Sequence, residues 1–377
     1  MKRNRLTYAA TLFIFVLLAV FLPSEMTFFA LYTIALAPFL SFLLTAILYR
    51  GVLLEKEMSA EFVGKGEEAV FFVVAKNQTI FPIAAFRADV FVGELGLFVK
   101  TYEEAAYLKM RGQARLLFAI ETNYAGEYEV GVKNFYIYDY LGLFAFKRKV
   151  SGSEKLLVLP RVLPISDTFS MVMAEGEMYA GKWKKHEVSF EESELKQHLP
   201  TEDSRNIHWK VSAKRDELIG RHFLETEQAR ALLFIDNKIS EDFSLETLDM
   251  ADKMLEVAAS FAYDLHEKLY ALSLMTACGA KMEATNDFFE LHYKIANIDF
   301  GVHGRGVQLL DTRDTQFALM IVLLHTLDEA ICDMLKHFAQ KKQRLVVLCF
   351  DPLNNEAEMQ ALRQAGIVCE NAWEVLA

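Results

Sequence analysis

The residues that could do chemistry in this chain concentrate between 191 and 223, EESELKQHLPTEDSRNIHWKVSAKRDELIGRHF. The acids Glu191, Glu192, Glu194, Glu202 and Asp203 come first, and the bases Arg205, His208, Lys210, Lys214 and Arg215 follow around Trp209. A histidine beside a carboxylate is the material of general acid–base catalysis. His198 or His208 with Glu192 or Asp203 would supply that pair in a hydrolase. The same spacing suits a short helix capped by Asp203 or Ser204, with Ile207 and Trp209 turned inward and Arg205 and Lys210 in water. An arginine over the indole would add a cation–π contact of about 0.5–2 kcal/mol. Glu202, Asp203, Arg205, His208, Trp209 and Lys210 therefore have two readings. One is a clasp that locks two domains together; the other is a docking or ligand surface.

Other chemistry is sparser. The chain has no Walker loop, no GxSxG and no HExxH. Gly301-Val302-His303-Gly304-Arg305-Gly306 is glycine-rich but lacks the strand–helix context that phosphate binding needs. Cys278, Cys332, Cys349 and Cys369 form no CxxC pair and no metal-ligand spacing, and their apolar or helical surroundings suit reduced, buried thiols. A net charge of −11 and a pI near 5.4 argue against nucleic acid as a main partner.

The elements that must position these residues begin with two uncharged apolar segments, 7–22 and 27–49, separated by Pro23-Ser24-Glu25-Met26. A bilayer core needs about 20 apolar residues per helix, so the spacing predicts a transmembrane hairpin over 1–50. A secretory signal is the weaker reading, because no small-x-small cleavage site follows and a second span comes at once. Lys2, Arg3 and Arg5 precede the hairpin, and Arg50 and Lys56 follow it. The positive-inside rule places both ends, and everything after Gly51, in the cytoplasm of a multi-pass plasma-membrane protein.

From about residue 52 to 150 the period is two, with strands expected over 70–74, 85–92, 116–120 and 128–132 and turns at Asn77, Gly93, Asn123 and Gly126. This spacing predicts an Ig-like β-sandwich over 51–155. Phe135, Tyr136, Tyr138, Tyr140 and Phe144 read as its packing aromatics. A connecting segment is expected over 156–225. After it, apolar runs at 231–235, 270–277, 345–350 and near 367–369 alternate with helical spacing at 245–265 and 356–365. Strand–helix alternation predicts a doubly wound α/β domain over 226–377. The stretch 281–316 is ambiguous, and 317–324 reads either as strand or as helix start. Ligands in such sheets bind at the carboxyl ends of strands, where Asp236 and Asp351 stand.

Pro200-Thr201-Glu202-Asp203-Ser204-Arg205-Asn206-Ile207-His208-Trp209-Lys210, with Ala213-Lys214 after it, resembles the hallmark of the bacterial family called domain of unknown function fifty-eight. That hallmark runs Pro-Gly-Asp, then Arg, then Ile-x-Trp-Lys; here Thr201 stands for the Gly and Glu202 for the Asp. Gly126-Glu127-Tyr128 and the corner Asp139-Tyr140-Leu141-Gly142-Leu143-Phe144 are similar to the family's second signature. The resemblance implies a von Willebrand factor A-like fold for the last domain. Such domains often hold Mg²⁺ through Asp-x-Ser-x-Ser after the first strand, and oxygen ligands suit that ion. Here the run is Asp236-Asn237-Lys238-Ile239-Ser240, so an ammonium replaces the first hydroxyl. With Thr326 and Asp351 as the remaining candidates, the expectation is a degenerate site without metal, in which Lys238 pairs with Asp236 or Asp351.

The resemblance also implies a partner, a MoxR-type AAA+ ATPase, in chaperone-like assembly or activation. The expected function is thus a non-enzymatic, membrane-anchored interaction protein that needs no cofactor. The alternatives are a membrane-bound hydrolase and a Mg²⁺-dependent adhesion module facing outward, which the charge asymmetry disfavours. If Trp209 is the clasp, Trp209→Ala should cost about 3–5 kcal/mol and split one unfolding transition into two. Unchanged melting with unchanged partner binding would remove this stretch from the argument.

Overall fold

Twenty residues without an internal charge beyond the first turn build α1 (Lys2–Phe21), and α2 (Glu25–Arg50) follows after a three-residue turn. Ser24 sets the start of α2 through a capping box. Its Oγ accepts the Thr27 N–H at 3.4 Å, and Thr27 Oγ1 accepts the Ser24 N–H at 3.0 Å. Both helices are long and apolar enough to cross a membrane. Most of their large apolar side chains, Phe13, Val20, Phe29 and Leu36 among them, are exposed. In α2 only Ser41, Thr45 and Leu48, all near its end, are buried.

The computed structural model describes residues 2–94, 98–166, 169, 193–197, 212–214, 218–223, 230–238, 244–279, 281–300, 317–340, 344–352 and 354–376. They fall into two units. The first takes Met1–Val162, Ile239–Ala259 and His292–Val302, and the second takes Leu163–Lys238, Ser260–Leu291 and His303–Ala377.

In the first unit, α2 leads into nine strands: β1 (Val52–Met58), β2 (Phe62–Gly64), β3 (Ala69–Asn77), β4 (Ile83–Glu94), β5 (Phe98–Leu108), β6 (Gln113–Ile120), β7 (Gly126–Tyr138), β8 (Ala145–Lys149) and β9 (Ser153–Leu159). They form a three-stranded sheet ordered β1-β3-β6 and a second ordered β2-β9-β7-β4-β5, with β8 added to β7. Alternate residues of both sheets, including Phe71, Val73, Phe86, Val90, Val130 and Phe135, meet in one core, which also takes in Leu48 of α2. This is the expected β-sandwich, and its last strand continues through Leu159, past residue 155. The strands run between two ends. The end where α2 enters carries the turns at 78–82, 109–112 and 139–144.

The two signature pieces have physical reasons at opposite ends. At the far end Gly126 takes φ +123, which only glycine adopts without strain. Tyr128, fully buried, donates its hydroxyl to the Tyr124 carbonyl at 3.0 Å and accepts the Tyr124 N–H at 3.2 Å. That is the arrangement of a tyrosine corner. At the helix end, Asp139 is 2 % exposed. Its Oδ1 accepts the Phe144 N–H at 2.7 Å, and its Oδ2 accepts the Leu141 N–H at 3.2 Å and the Ser41 hydroxyl at 2.8 Å. Gly142 turns the corner at φ +66 beside Asn4. Phe144 meets Phe42 edge to face, and Phe146 packs against it at a tilt. Of the expected packing aromatics, Phe135 is in the core against Phe86. Tyr140 is not, being 41 % exposed.

The first unit also holds an ion triad. The Lys65 ammonium lies between Asp252, its hydrogen-bond partner, and Glu256 at 2.7 Å. Asp252 Oδ1 also accepts the Ala125 N–H at 2.7 Å. Both acids sit on α3 (Leu245–Glu267), whose residues through Ala259 belong to this unit. Ser244 caps α3, accepting the Thr247 N–H at 3.2 Å.

The second unit contains the antiparallel pair β10 (Ser193–Gln197) and β11 (Ile219–Phe223). It also contains a mixed sheet built from β12 (Arg230–Ile235), β13 (Ala271–Thr276), β14 (Lys281–Thr285), β15 (Leu319–Leu324), β16 (Arg344–Cys349) and β17 (Val368–Asn371). The sheet order is β14-β13-β12-β15-β16-β17, parallel throughout except for the antiparallel edge strand β14. The ambiguous run at 317–324 is therefore strand, a β-rich stretch buried along all of β15. The shorter helices are α4 (Phe288–Ala296), α5 (Glu329–Gln340) and α6 (Glu356–Gln364). Cys332, Leu335, Phe338, Met359 and Leu362 of α5 and α6 cover Leu232, Phe234, Val322 and Val347 on one face. The alternate residues Ala231, Leu233, Ile321 and Leu348 are equally buried, so the strands read as continuous apolar runs. Cys332, Cys349 and Cys369 are buried thiols, and burial pushes Cys369 up to about 12. Cys278 departs from the expectation of four buried cysteines. It lies at the turn that follows β13 and is exposed.

Removing one member of a buried ion cluster strands the others. Lys65→Ala should destabilise the protein by about 3–5 kcal/mol. Adding Asp252→Asn and Glu256→Gln should recover part of the loss. Denaturant unfolding in detergent measures both, and a Lys65→Ala loss below about 1 kcal/mol would mean the triad behaves like a surface pair.

Candidate functional site

The strand order puts a switch point between β12 and β15. The chain leaves β12 toward β13 on one side, while β15, β16 and β17 lie on the other. Open sheets bind ligands at the carboxyl ends of their strands at such a point. Three segments meet there: Asp236-Asn237-Lys238 after β12, His325-Thr326 after β15, and Asp351 with Asn354 and Asn355 after β16.

Asparagines hold these loops in place. Asn237, 3 % exposed, accepts the Cys278 N–H at 3.1 Å and so joins the ends of β12 and β13. Asn355, 4 % exposed, accepts the Leu327 N–H at 2.9 Å and donates to the Asp351 carbonyl at 2.6 Å, which ties β15 to β16. Asp351 spends its carboxylate on its own loop, accepting from Asn354 Nδ2 at 2.7 Å and from the Asn354 N–H at 3.4 Å.

Asp236 is the charged group at the centre. Its N–H donates to the Leu323 carbonyl at 2.9 Å, fixing it against β15. Its side chain is 9 % exposed as a residue, and burial raises its carboxyl above the ordinary value. The Lys238 N–H, at 3.3 Å from Oδ1, and the charges of His325 and Lys238 oppose that rise. The expected pairing of Lys238 with Asp236 thus runs through the Lys238 backbone N–H, which closes a two-residue turn. Among the described residues, no ion pair joins the Lys238 ammonium to Asp236 or Asp351.

The structure brings Asp236, Lys238, Thr326 and Asp351 to the carboxyl end of the sheet. Ser240 lies outside the described residues, as do Glu202, Asp203, Arg205, His208, Trp209 and Lys210 and the clasp or docking surface they were expected to form. Among the described residues, no group of three or more His, Cys, Asp or Glu side chains could hold a metal ion. Sequence reasoning passed over His325, Asn237 and Asn355. The Asn-Asn pair two positions after Asp351-Pro352 was a readable turn signal. His325 carried none, because its nearness to Asp236 depends on the pairing of β12 with β15.

The family model described as "Protein of unknown function DUF58" matches residues 194–283, which include β10 to β13 and the run that follows Pro200. No curated protein matches the chain. Among solved structures, a CARDB domain from Pyrococcus furiosus is 14% identical with a TM-score of 0.21, covering 29% of this chain and 87% of that one. The alkylpurine DNA glycosylase AlkC of Pseudomonas fluorescens, bound to DNA containing an abasic site analog, is 13% identical with a TM-score of 0.20. That match covers 40% of this chain and 46% of that one.

The raised carboxyl of Asp236 makes a signed prediction. A group whose folded pKa lies above its unfolded one stabilises the fold below the unfolded pKa and loses that contribution as pH rises through the folded pKa. At pH 7, above the ordinary carboxyl value, the raised carboxyl of Asp236 is therefore a cost that Asp236→Asn removes. The variant should melt higher than the parent at pH 7, and the gap should close toward pH 4. A variant that melts lower at pH 7 would show that the carboxylate is held by charge partners rather than strained by burial.

Proposed function

We propose that this chain is a membrane-anchored, cytoplasmic interaction protein that works with a MoxR-type AAA+ ATPase in assembly or activation, without catalysis or a cofactor of its own. The observation that carries the anchoring is the hairpin itself. Two apolar helices leave most of their large apolar side chains exposed, and α2 buries Ser41, Thr45 and Leu48 toward its end at the sandwich. Lys2, Arg3, Arg5 and Arg50 all lie at the sandwich end of the pair, and Glu25 is the charge at the turn. That asymmetry supports a multi-pass topology with the domains inside. The partner rests on the resemblance of the run after Pro200, and the match over 194–283 supports that resemblance alone.

The same support extends to an A-type reading of the second unit. Counted from β12, its sheet has the order 3-2-1-4-5-6 with a polar switch point. A protein-binding role there would use a rigid, asparagine-pinned edge with one buried acid. The hydrolase alternative needs a histidine and a carboxylate within reach of each other and of a pocket. His198 and His208, with Glu192 and Asp203, which would supply that pair, lie outside the described residues.

Two measurements on membranes test the proposal. External protease on right-side-out vesicles should leave everything after Gly51 intact; digestion of that part would overturn the orientation. Crosslinking in the same membranes should capture a MoxR-type ATPase on the full chain. Its absence from the products, with the chain itself folded, would remove the proposed partner.

A further inference from the structure

The helix-proximal end of the sandwich has an unusual surface. The turn at 78–82 exposes Ile80 (61 %) and Phe81, the end of β5 exposes Tyr107, the β5–β6 turn exposes Met110, and the corner exposes Tyr140 and Leu141. These three turns hold charges of one exposed sign only. Lys109 and Arg111 face out, and Asp139 is buried with its oxygens occupied. The far end has the opposite character, with Glu67, Glu68 and Glu121 exposed in its turns.

Hydrogen bonds make the near end one body with α2. Asn77 donates from Nδ2 to the Phe81 carbonyl at 2.8 Å and to the Lys109 carbonyl at 3.0 Å. The Arg111 N–H reaches the Thr79 carbonyl at 3.0 Å, and the Tyr140 hydroxyl reaches the Pro82 carbonyl. The Gln78 N–H donates to the carbonyl of Gly51, the residue that ends α2. The corner reaches furthest along the helices. It meets α2 at Ser41, about nine residues before the helix end, and the Leu143 carbonyl accepts from Arg5 Nε at 2.9 Å on α1.

Length then decides what the corner touches. Beyond Arg5 and Ser41 each helix has about sixteen residues before the turn, which is roughly 24 Å at 1.5 Å per residue. A bilayer's hydrocarbon core is about 30 Å thick. If the pair spans, the bilayer's near boundary falls at the level of the corner.

We infer that this end of the sandwich is a lipid-contact surface. It lies in the headgroup layer of an anionic bilayer, with Phe81 and Leu141 at the acyl boundary and Lys109 and Arg111 on lipid phosphates. The inference rests on the reading of α1 and α2 as membrane-spanning. Continuity with that hairpin, the shortfall in span and the single sign of exposed charge select lipid over a protein partner. Aromatic and aliphatic side chains with a basic rim are what an interfacial layer of this kind accepts.

The test uses the full chain with Cys278→Ser, reconstituted in phosphatidylcholine vesicles with or without phosphatidylglycerol. Single spin labels go on Phe81→Cys and Leu141→Cys, on Phe13→Cys and Leu36→Cys in the hairpin, and on Asn123→Cys at the far end. Power saturation compares collision with oxygen, which enters lipid, and with a nickel chelate, which stays in water. The oxygen-to-nickel ratio at Phe81 and Leu141 should exceed that at Asn123 several-fold and fall below that at Phe13 and Leu36. With phosphatidylglycerol, Lys109→Glu combined with Arg111→Glu should move both labels toward the Asn123 value. Lipid-like hairpin labels with water-like labels at Phe81 and Leu141 would overturn the inference alone. Water-like hairpin labels would overturn the membrane reading on which it rests. Labels at Phe81 and Leu141 that neither reagent reaches would mean a protein or a second copy covers this end, which also overturns it.

Discussion

The carboxylate of Asp139 governs the arrangement of the helix-proximal end of the first unit. It is buried, and its two oxygens accept two N–H groups of its own corner and the hydroxyl of Ser41. Hydrogen bonds to a charged acceptor are stronger than neutral ones, so three of them can fix a turn that has little packing of its own. That turn also needs the left-handed residue Gly142. With the corner set, Phe144 and Phe146 meet Phe42, Arg5 finds the Leu143 carbonyl, and the sandwich's orientation to both helices is determined. Replacing the carboxylate by an amide would exchange one acceptor for a donor facing other N–H groups, an unsatisfied arrangement.

Buried charge appears elsewhere in two contrasting forms. Around Lys65, opposite charges and the Ala125 N–H partner the acids of α3, while burial still raises the Asp252 carboxyl. Asp236 has a weaker set: one long N–H contact and the more distant charges of Lys238 and His325. Perturbed ionisable groups cluster at functional sites and also occur in structural ion-pair networks such as that of Asp252. Asp236 also stands at the switch point of the sheet, where open sheets of this kind bind ligands, and the proposed binding role rests on that placement.

Much of this was legible in the chain. Uncharged runs announced the two helices, alternation announced the strands around Val73 and Val130, and the apolar runs at 231–235 and 345–350 announced β12 and β16. Asp236 could be placed at a strand end because the apolar run stops there. What could not be read depends on pairing over distance. Lys65 and Asp252 are 187 residues apart, and no local pattern connects them. The packing role expected of Tyr140 failed because alternation assigns faces only within a strand, and β7 ends at Tyr138. The exposure of Cys278 has the same origin, since the residue lies just past the end of β13 in a turn.

The spacing of Ser41 and Asp139 also sets an order of events during synthesis. The two partners are 98 residues apart. At ribosomal rates of about 5–20 residues per second, the acceptor emerges some 5–20 seconds after the donor. Through that interval the nascent hairpin holds a serine whose sandwich partner does not yet exist. A serine inside a helix has one local recourse, a bond back to a carbonyl a turn earlier, and the Thr45 hydroxyl makes such a bond to the Ser41 carbonyl in the finished protein. The helices must therefore be tolerable as a pair before the sandwich exists. Docking of the corner is then a late step, which turns a free hairpin into a fixed pedestal.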